Sequence, residues 1–277
     1  MKPPPFEYHA PGSVDEAVEL LANGDDVRVL AGGQSLVQLM KFRRERPARL
    51  VDINQIPGLD ALEPVDGRLR IGALVRQQTL LEDSQVAETA PLLREAARFV
   101  GYKETRRRGT LGGSLAFAAP WAELTAAMVA LDGAIEVRSR RGARTIDARE
   151  FFLGPNRTGL ARDELIVAVT VPITGSGTGA AFHEVSARYR DYAQVAAAAV
   201  VGDGRADLVL LCVADAPYLV DAGAAVRDEA ALVQLLAGID PPDDVEASAA
   251  YRRRVAPVLA RRALRDASAR ARIGAPT

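Results

Sequence analysis

Two short segments carry the residue types that could hold a charged ligand. Ala31-Gly32-Gly33-Gln34-Ser35-Leu36 follows the strand-like run Val27-Arg28-Val29-Leu30. Paired glycines have no Cβ, so a ligand can approach the backbone closely. A helix beginning after them would aim its free first-turn N–H groups, with a partial charge of about +0.5, at a phosphate. Ser35 adds a hydroxyl and could cap a helix over 36–43, with Leu36, Leu39 and Met40 facing inward. Taken alone, such a loop is an ordinary tight turn. About eighty residues later, however, Gly109-Thr110-Leu111-Gly112-Gly113-Ser114-Leu115 repeats the pattern ahead of a helix-capable stretch at 116–131. Two anion-cradling loops suit a ligand with two phosphates, such as a dinucleotide.

Other ligand patterns are missing or misplaced. There is no G-x-x-x-x-G-K-[ST] run, which excludes a P-loop. Gly175-x-Gly177-x-x-Ala180 matches the relaxed dinucleotide fingerprint in form. Pro172 separates it from the preceding strand-like run, and its small residues belong to Thr174-Gly175-Ser176-Gly177-Thr178-Gly179, a flexible connector by composition. The single cysteine, Cys212, rules out an intrachain disulfide and a multi-cysteine zinc or iron–sulfur site. Two histidines, His9 and His183, are too few for a histidine-rich metal centre. Redox chemistry here would rest on an organic cofactor or on a group held by another chain.

The 277 residues suffice for one large domain or two ordinary ones. With 48% hydrophobic and 26% charged residues, the composition is that of a globular protein. Lys plus Arg number 35 against 36 for Asp plus Glu, which gives no support to a nucleic-acid or anionic-membrane partner. Met1-Lys2-Pro3-Pro4-Pro5-Phe6 has no apolar stretch of the signal-peptide kind. No run approaches the roughly 18 residues of a membrane span, so a cytoplasmic location is expected.

Several elements must position the two loops. Ser13-Val14-Asp15-Glu16 offers a capping box for a helix with Ala17, Leu20 and Leu21 on its apolar face, ended by Asn23-Gly24. Strands are expected at 27–30, 50–53, 69–72, 134–138 and 165–171, the last closed by Pro172. One helix is expected over 86–101. Beyond the connector, 180–200 has helix formers throughout, 207–213 reads as a strand and 224–236 as a helix. Residues 245–270 read as helical, with Pro257 marking a kink or a restart. The clusters Arg252-Arg253-Arg254 and Arg261-Arg262 read as solvated helix faces.

Both loop segments resemble the two FAD motifs of the molybdenum hydroxylases, in particular the separate flavoprotein (medium) subunit of carbon monoxide dehydrogenase and xanthine dehydrogenase types. The second reads Thr110-Leu111-Gly112-Gly113-Ser114-Leu115-Ala116-x-Ala118-x-Pro120-x-Ala122-Glu123. The similarity continues in Pro5-Phe6-x-Tyr8, Leu50-Val51-Asp52-Ile53, Arg188-x-x-Asp191-Tyr192-Ala193, and Tyr251-Arg252-Arg253 leading to Arg261-Arg262-Ala263-Leu264. The family's Ala-His-Ala-Asp-Pro stretch reads Ala116-Phe117-Ala118-Ala119-Pro120 here. Trp121 replaces a small residue, Arg107 stands where many members carry Asn, and His183 where related chains often carry Lys.

The resemblance implies an α+β chain with a vanillyl-alcohol-oxidase (PCMH)-type FAD-binding domain at 1–174. That domain would comprise two α/β subdomains, about 1–55 and 56–174. A small C-terminal domain at 178–277 would pack an antiparallel sheet with helices, so that 180–200 becomes two strands. It further implies noncovalent FAD, with Val29, Leu30, Ala31, Gly32, Gly33, Gln34, Ser35 and Leu36 in the first binding segment and Thr110, Gly112, Gly113 and Ser114 in the second. Glu123 would hydrogen-bond the sugar-alcohol or ribose, Ile166 would touch the flavin or adenine, and Tyr192 would lie against the isoalloxazine. No catalytic or metal-binding residue is expected on this chain. The implied protein is an oxidoreductase subunit of a heterotrimer, itself in a dimer of heterotrimers. A small partner would hold [2Fe-2S] clusters and a large partner the molybdenum cofactor, and electrons would pass to NAD, a quinone, oxygen or another acceptor. The alternatives are a self-contained flavin oxidase of the same fold and a non-catalytic nucleotide-binding assembly module.

Overall fold

Ser13 sets the first helix as the sequence predicts: its Oγ accepts the Glu16 N–H at 3.1 Å, and helix Val14–Ala22 follows. Glu16 turns back to the Gly12 N–H at 2.8 Å, one residue further than a capping box requires. The computed structural model describes residues 2–202 and 204–273; Met1 and 274–277, at the ends of the expected domains, lie outside the described residues. Helix Val14–Ala22 and helix Leu36–Lys41 connect three parallel strands in the order Glu7–His9, Arg49–Asp52, Val27–Leu30.

Next comes a five-stranded antiparallel sheet in the order Leu62–Val65, Arg68–Gly72, Leu165–Pro172, Ala134–Ser139, Gly142–Asp147. Its central strand arrives last in the chain and is buried on both faces. Leu165 and Val167 pack towards the parallel sheet and its helix, whereas Ile166, Val169 and Val171 join the main core. The bulge between Ile166 and Ala168 shifts the alternation by one, so odd-numbered residues face the parallel sheet before it and the main core after it.

The third sheet is an antiparallel meander of Gly179–Ser186, Ala193–Gly202, Arg205–Leu211 and Tyr218–Asp221. Alanine-rich 180–200 is therefore two strands, as the family resemblance implies, against its helix propensity. Both faces are covered: Ala196 and Ala198 face the main core, while Ala197 and Ala199 face helix Ala249–Ile273. Burial on two sides overrides an intrinsic preference of under 1 kcal/mol per residue.

Three other expectations change. The helix expected at 86–101 divides into Ser84–Thr89 and Pro91–Ala97, because Pro91 excludes the helical conformation at Ala90 (φ −140°, ψ 57°) and starts a new helix at its own N1. The stretch 116–131 divides into Leu111–Phe117 and Glu123–Ala130, broken at Ala118, whose φ is +46°. Residues 224–236 form a 3-10 turn, Ala224–Val226, and a helix, Glu229–Leu235, capped by Asp228. Helix Ala249–Ile273 runs through Pro257.

Arg252 is not on a solvated face. It is 2% exposed and donates to the Cys212 carbonyl at 3.1 Å and to Asp244 Oδ1 at 2.6 Å. Its neighbour Arg253 pairs with Asp240 at the surface. Among the described residues no helix is long and apolar enough to cross a membrane. Arg252→Leu should cost about 2 kcal/mol in urea denaturation, since it orphans a buried carbonyl and breaks an ion pair whose acid is partly hydrated. Arg253→Ala should change stability by less than about 0.5 kcal/mol in the same assay.

Candidate functional site

The first loop is rooted in the parallel sheet, where Val29 pairs with Val51 and Leu30 with Asp52. Gly33 has φ +71°, a left-handed conformation that a side chain would strain. A Cβ on Gly32 would lie 2.2 Å from the Arg108 carbonyl oxygen, so this glycine is required by the approach of the second loop. Ser35 does not cap: its backbone is helical (φ −96°, ψ −54°) and its hydroxyl makes no capping bond. Gln34 folds back, Nε2 donating to the Gly32 carbonyl at 3.3 Å. The backbone N–H groups of Gly32, Gly33, Gln34 and Ser35 have no acceptor among the described residues. Leu36 opens helix Leu36–Lys41, of which Met40 is the buried residue.

The second loop has the opposite chemistry. Thr110 is the N-cap, its Oγ1 accepting the Gly113 N–H at 3.1 Å, and Gly112, Gly113 and Ser114 lie inside helix Leu111–Phe117 rather than ahead of it. Leu111 donates to the Val75 carbonyl at 3.0 Å, Gly112 to Ala73 at 2.9 Å and Ser114 to Thr110 at 3.1 Å. Its N–H groups are thus engaged within the chain. Gly112 permits close packing, since a Cβ there would meet that of Ala73 at 2.7 Å. Gly113 presents its bare Cα towards Ala31, with 3.9 Å between the position of its missing Cβ and the Ala31 Cβ. The structure therefore brings the two motifs face to face.

A polar cluster supports them: Tyr8 and Asp52 lie in segments that resemble the family, whereas Asn54 and Arg76 carry no signal in the sequence. Asn54 Nδ2 donates to the Ala31 carbonyl at 2.9 Å, and Arg76 Nη2 donates to Asn54 Oδ1 at 2.8 Å. Asp52 accepts from the Tyr8 hydroxyl at 2.7 Å and from the Asn54 N–H at 2.9 Å. Burial works against the Asp52 carboxylate, but the bonds from Tyr8 and Asn54 outweigh it and hold its pKa below the ordinary value. Nothing in spacing or composition distinguishes these residues from turn formers.

Glu123 begins helix Glu123–Ala130 and is 8% exposed; burial pushes its carboxyl up to about 8. Glu184, on strand Gly179–Ser186, is pushed up to about 9 by burial and by the Glu123 charge. Its Oε2 is buried and has no partner among the described residues. Burial likewise raises the Cys212 thiol to about 12, which leaves it unreactive near neutral pH. Tyr192 is 53% exposed and lies 4.6 Å, centroid to centroid, from Trp121, which joins the C-terminal sheet to the tail of the second motif. Ile166 is buried at the strand bulge, in the same core cluster as Leu111 and Leu115 of the second motif's helix. His183 pairs with Asp266 at 2.8 Å, on the side of the long C-terminal helix.

Residues 4–174 match the family described as the FAD binding domain in molybdopterin dehydrogenase. The 6-hydroxypseudooxynicotine dehydrogenase complex subunit alpha of Paenarthrobacter nicotinovorans is 44% identical over 202 residues, 73% of this chain and 68% of its own length. The nicotine 6-hydroxylase medium subunit of the same organism is 38% identical over 78% of this chain and 76% of its own. A solved structure of carbon monoxide dehydrogenase from Hydrogenophaga pseudoflava superimposes with a TM-score of 0.93 at 34% identity, over 98% of this chain and 99% of that one. A run of free N–H donors facing a second glycine motif, in a chain with these relatives, places it plainly: it belongs to the FAD-binding medium subunits of the molybdenum hydroxylases, a family of oxidoreductases.

Proposed function

We propose that this chain holds one FAD noncovalently and relays electrons from the [2Fe-2S] clusters of a small partner subunit to an external acceptor. The electrons would originate at the molybdenum cofactor of a large partner, in a cytoplasmic dimer of heterotrimers. The observation that carries this reading is the set of four consecutive unpaired N–H groups at 32–35. Such a run of free donors fits a pyrophosphate, and Gly32 and Gly33 carry no Cβ to obstruct it. In a vanillyl-alcohol-oxidase-type arrangement, 1–55 supplies the first loop, 56–174 the second, and 178–277 the aromatic Tyr192. The end of the family match at residue 174 supports the boundary ahead of 178–277.

FAD, when bound, supplies reversible acceptance of one or two electrons; the chain supplies binding and orientation. The N–H groups of 32–35 would donate to the phosphates, and the second motif would close the other side with the Ser114 hydroxyl and the Gly113 backbone. Glu123, neutral near pH 7 through burial, can donate a hydrogen bond to a sugar oxygen. Tyr192 and Trp121 would offer an aromatic surface for the isoalloxazine, and Ile166 an apolar contact for the flavin or the adenine.

Visible absorption of the purified chain, before and after adding FAD and desalting, tests the reading. Retained bands near about 375 and 450 nm, released as free FAD on denaturation, are expected. No retained flavin, with no rise in melting temperature on adding FAD, would leave the assembly-module alternative. Gly32→Val should weaken FAD binding more than tenfold, because the added carbons push against the Arg108 backbone and open the gap between the loops.

The raised acids make stability depend on pH in a defined direction. Their folded-state values lie above the ordinary glutamate value, so their contribution is complete below about pH 4.3 and is lost as pH rises through about 8 to about 9. The melting temperature should therefore fall between pH 6 and 9.5. The double variant Glu123→Gln, Glu184→Gln should flatten that fall, and an unchanged slope would remove these groups as its source.

A further inference from the structure

We propose that Arg76 is the positioning residue that fixes the two FAD-binding loops relative to each other, working through Asn54; this rests on the FAD reading above. Its guanidinium forks between them. Nη1 donates to the Arg108 carbonyl at 2.6 Å, immediately ahead of the second motif. Nη2 donates to Asn54 Oδ1 at 2.8 Å, and Asn54 Nδ2 passes the link to the Ala31 carbonyl at 2.9 Å. The Arg76 backbone is already bound to the second motif by its bridge to Thr110 and by the Gln77 N–H to the Gly109 carbonyl at 2.9 Å. The side chain thus carries that rigid strap across to the first loop.

Peptide geometry makes this link consequential. In a trans peptide the C=O of one residue and the N–H of the next point in opposite directions. Anchoring the Ala31 carbonyl on Asn54 therefore turns the Gly32 N–H, the first of the four free donors, to the opposite side of the peptide. Anchoring the Arg108 carbonyl holds in place the same oxygen that a Cβ on Gly32 would strike. One cation thereby sets both the direction of the donors and the width of the gap. Asp52, held by Tyr8 and by both nitrogens of Asn54, keeps the carboxamide from rotating, its Oδ1 lying 2.6 Å from Asn54 Nδ2. Lysine could supply the charge but not the fork.

The test measures FAD and ADP dissociation constants and the melting temperature of the flavin-free full chain for three variants. Arg76→Met removes fork and charge, Arg76→Lys removes the fork only, and Asn54→Ala cuts the link to Ala31 while leaving the Arg76 charge. The expected result is at least a tenfold loss of FAD affinity in Arg76→Met and a severalfold loss in the other two. ADP, which carries the diphosphate without the flavin, should lose affinity by the same factors, and the flavin-free melting temperature should stay within about 3 °C of the parent. Affinities within twofold of the parent in Asn54→Ala and Arg76→Lys would overturn the proposal, as would a large fall in melting temperature at unchanged affinity. Should Arg76→Met not fold, the other two variants decide. Failure of the unaltered chain to bind FAD would instead overturn the FAD reading itself.

Discussion

The Arg108 carbonyl oxygen stands where only a glycine at position 32 can pass, at 2.2 Å from the place a Cβ would occupy. This contact joins a parallel-sheet unit to an antiparallel one, and the two glycine motifs face each other only while they stay together. The chain secures it from several directions: the central strand Leu165–Pro172 feeds both cores, and the 73–77 strap runs beside the second motif. The two glycine pairs consequently have different duties. Gly32 and Gly112 allow backbone to meet backbone, Gly33 supplies a left-handed turn, and Gly113 leaves room for the Thr110 hydroxyl that caps its N–H.

That division explains why two loops of similar sequence offer different chemistry. Phosphate binding by a helix start requires N–H groups without partners. In the second motif those groups are consumed by Val75, Ala73 and Thr110, so it serves as a wall. In the first, the helix has six residues and no side-chain cap, and the donors belong to the loop itself. Leaving Ser35 without a capping bond costs the short helix about 1 kcal/mol and keeps its hydroxyl available to a ligand.

The sequence made the glycine motifs, the first capped helix and most strand centres legible because each rests on local chemistry: a missing Cβ, a hydroxyl at an N-cap, alternating β-branched residues. What it concealed depends on distant neighbours. The alanines at 196–199 become strand only because the core covers one face and helix Ala249–Ile273 the other. Arg252 looks like one of three surface arginines until the Cys212 carbonyl meets it. Asn54 and Arg76 lie in unremarkable segments, and their partners are 22 to 32 residues away. The break at Pro91, by contrast, was readable from local rules, and the apolar periodicity on both sides of it obscured the signal.

The C-terminal sheet reaches the site through one further chain of contacts. Arg252, on the long helix, anchors the Cys212 carbonyl at a residue whose φ is +62°. The Cys212 thiol lies 3.2 Å from the Ala193 carbonyl and 3.5 Å from that of Pro120. Those carbonyls belong to the immediate neighbours of Tyr192 and Trp121, the pair whose rings meet between the halves. A thiol held protonated by burial is a weak donor, and its sulfur sets a spacing between the two backbones that the smaller serine oxygen would not fill. The far helix thereby bears on the placement of the aromatic surface without touching it. The C-terminal sheet and its helix are thus linked, through Cys212, to the Tyr192–Trp121 contact.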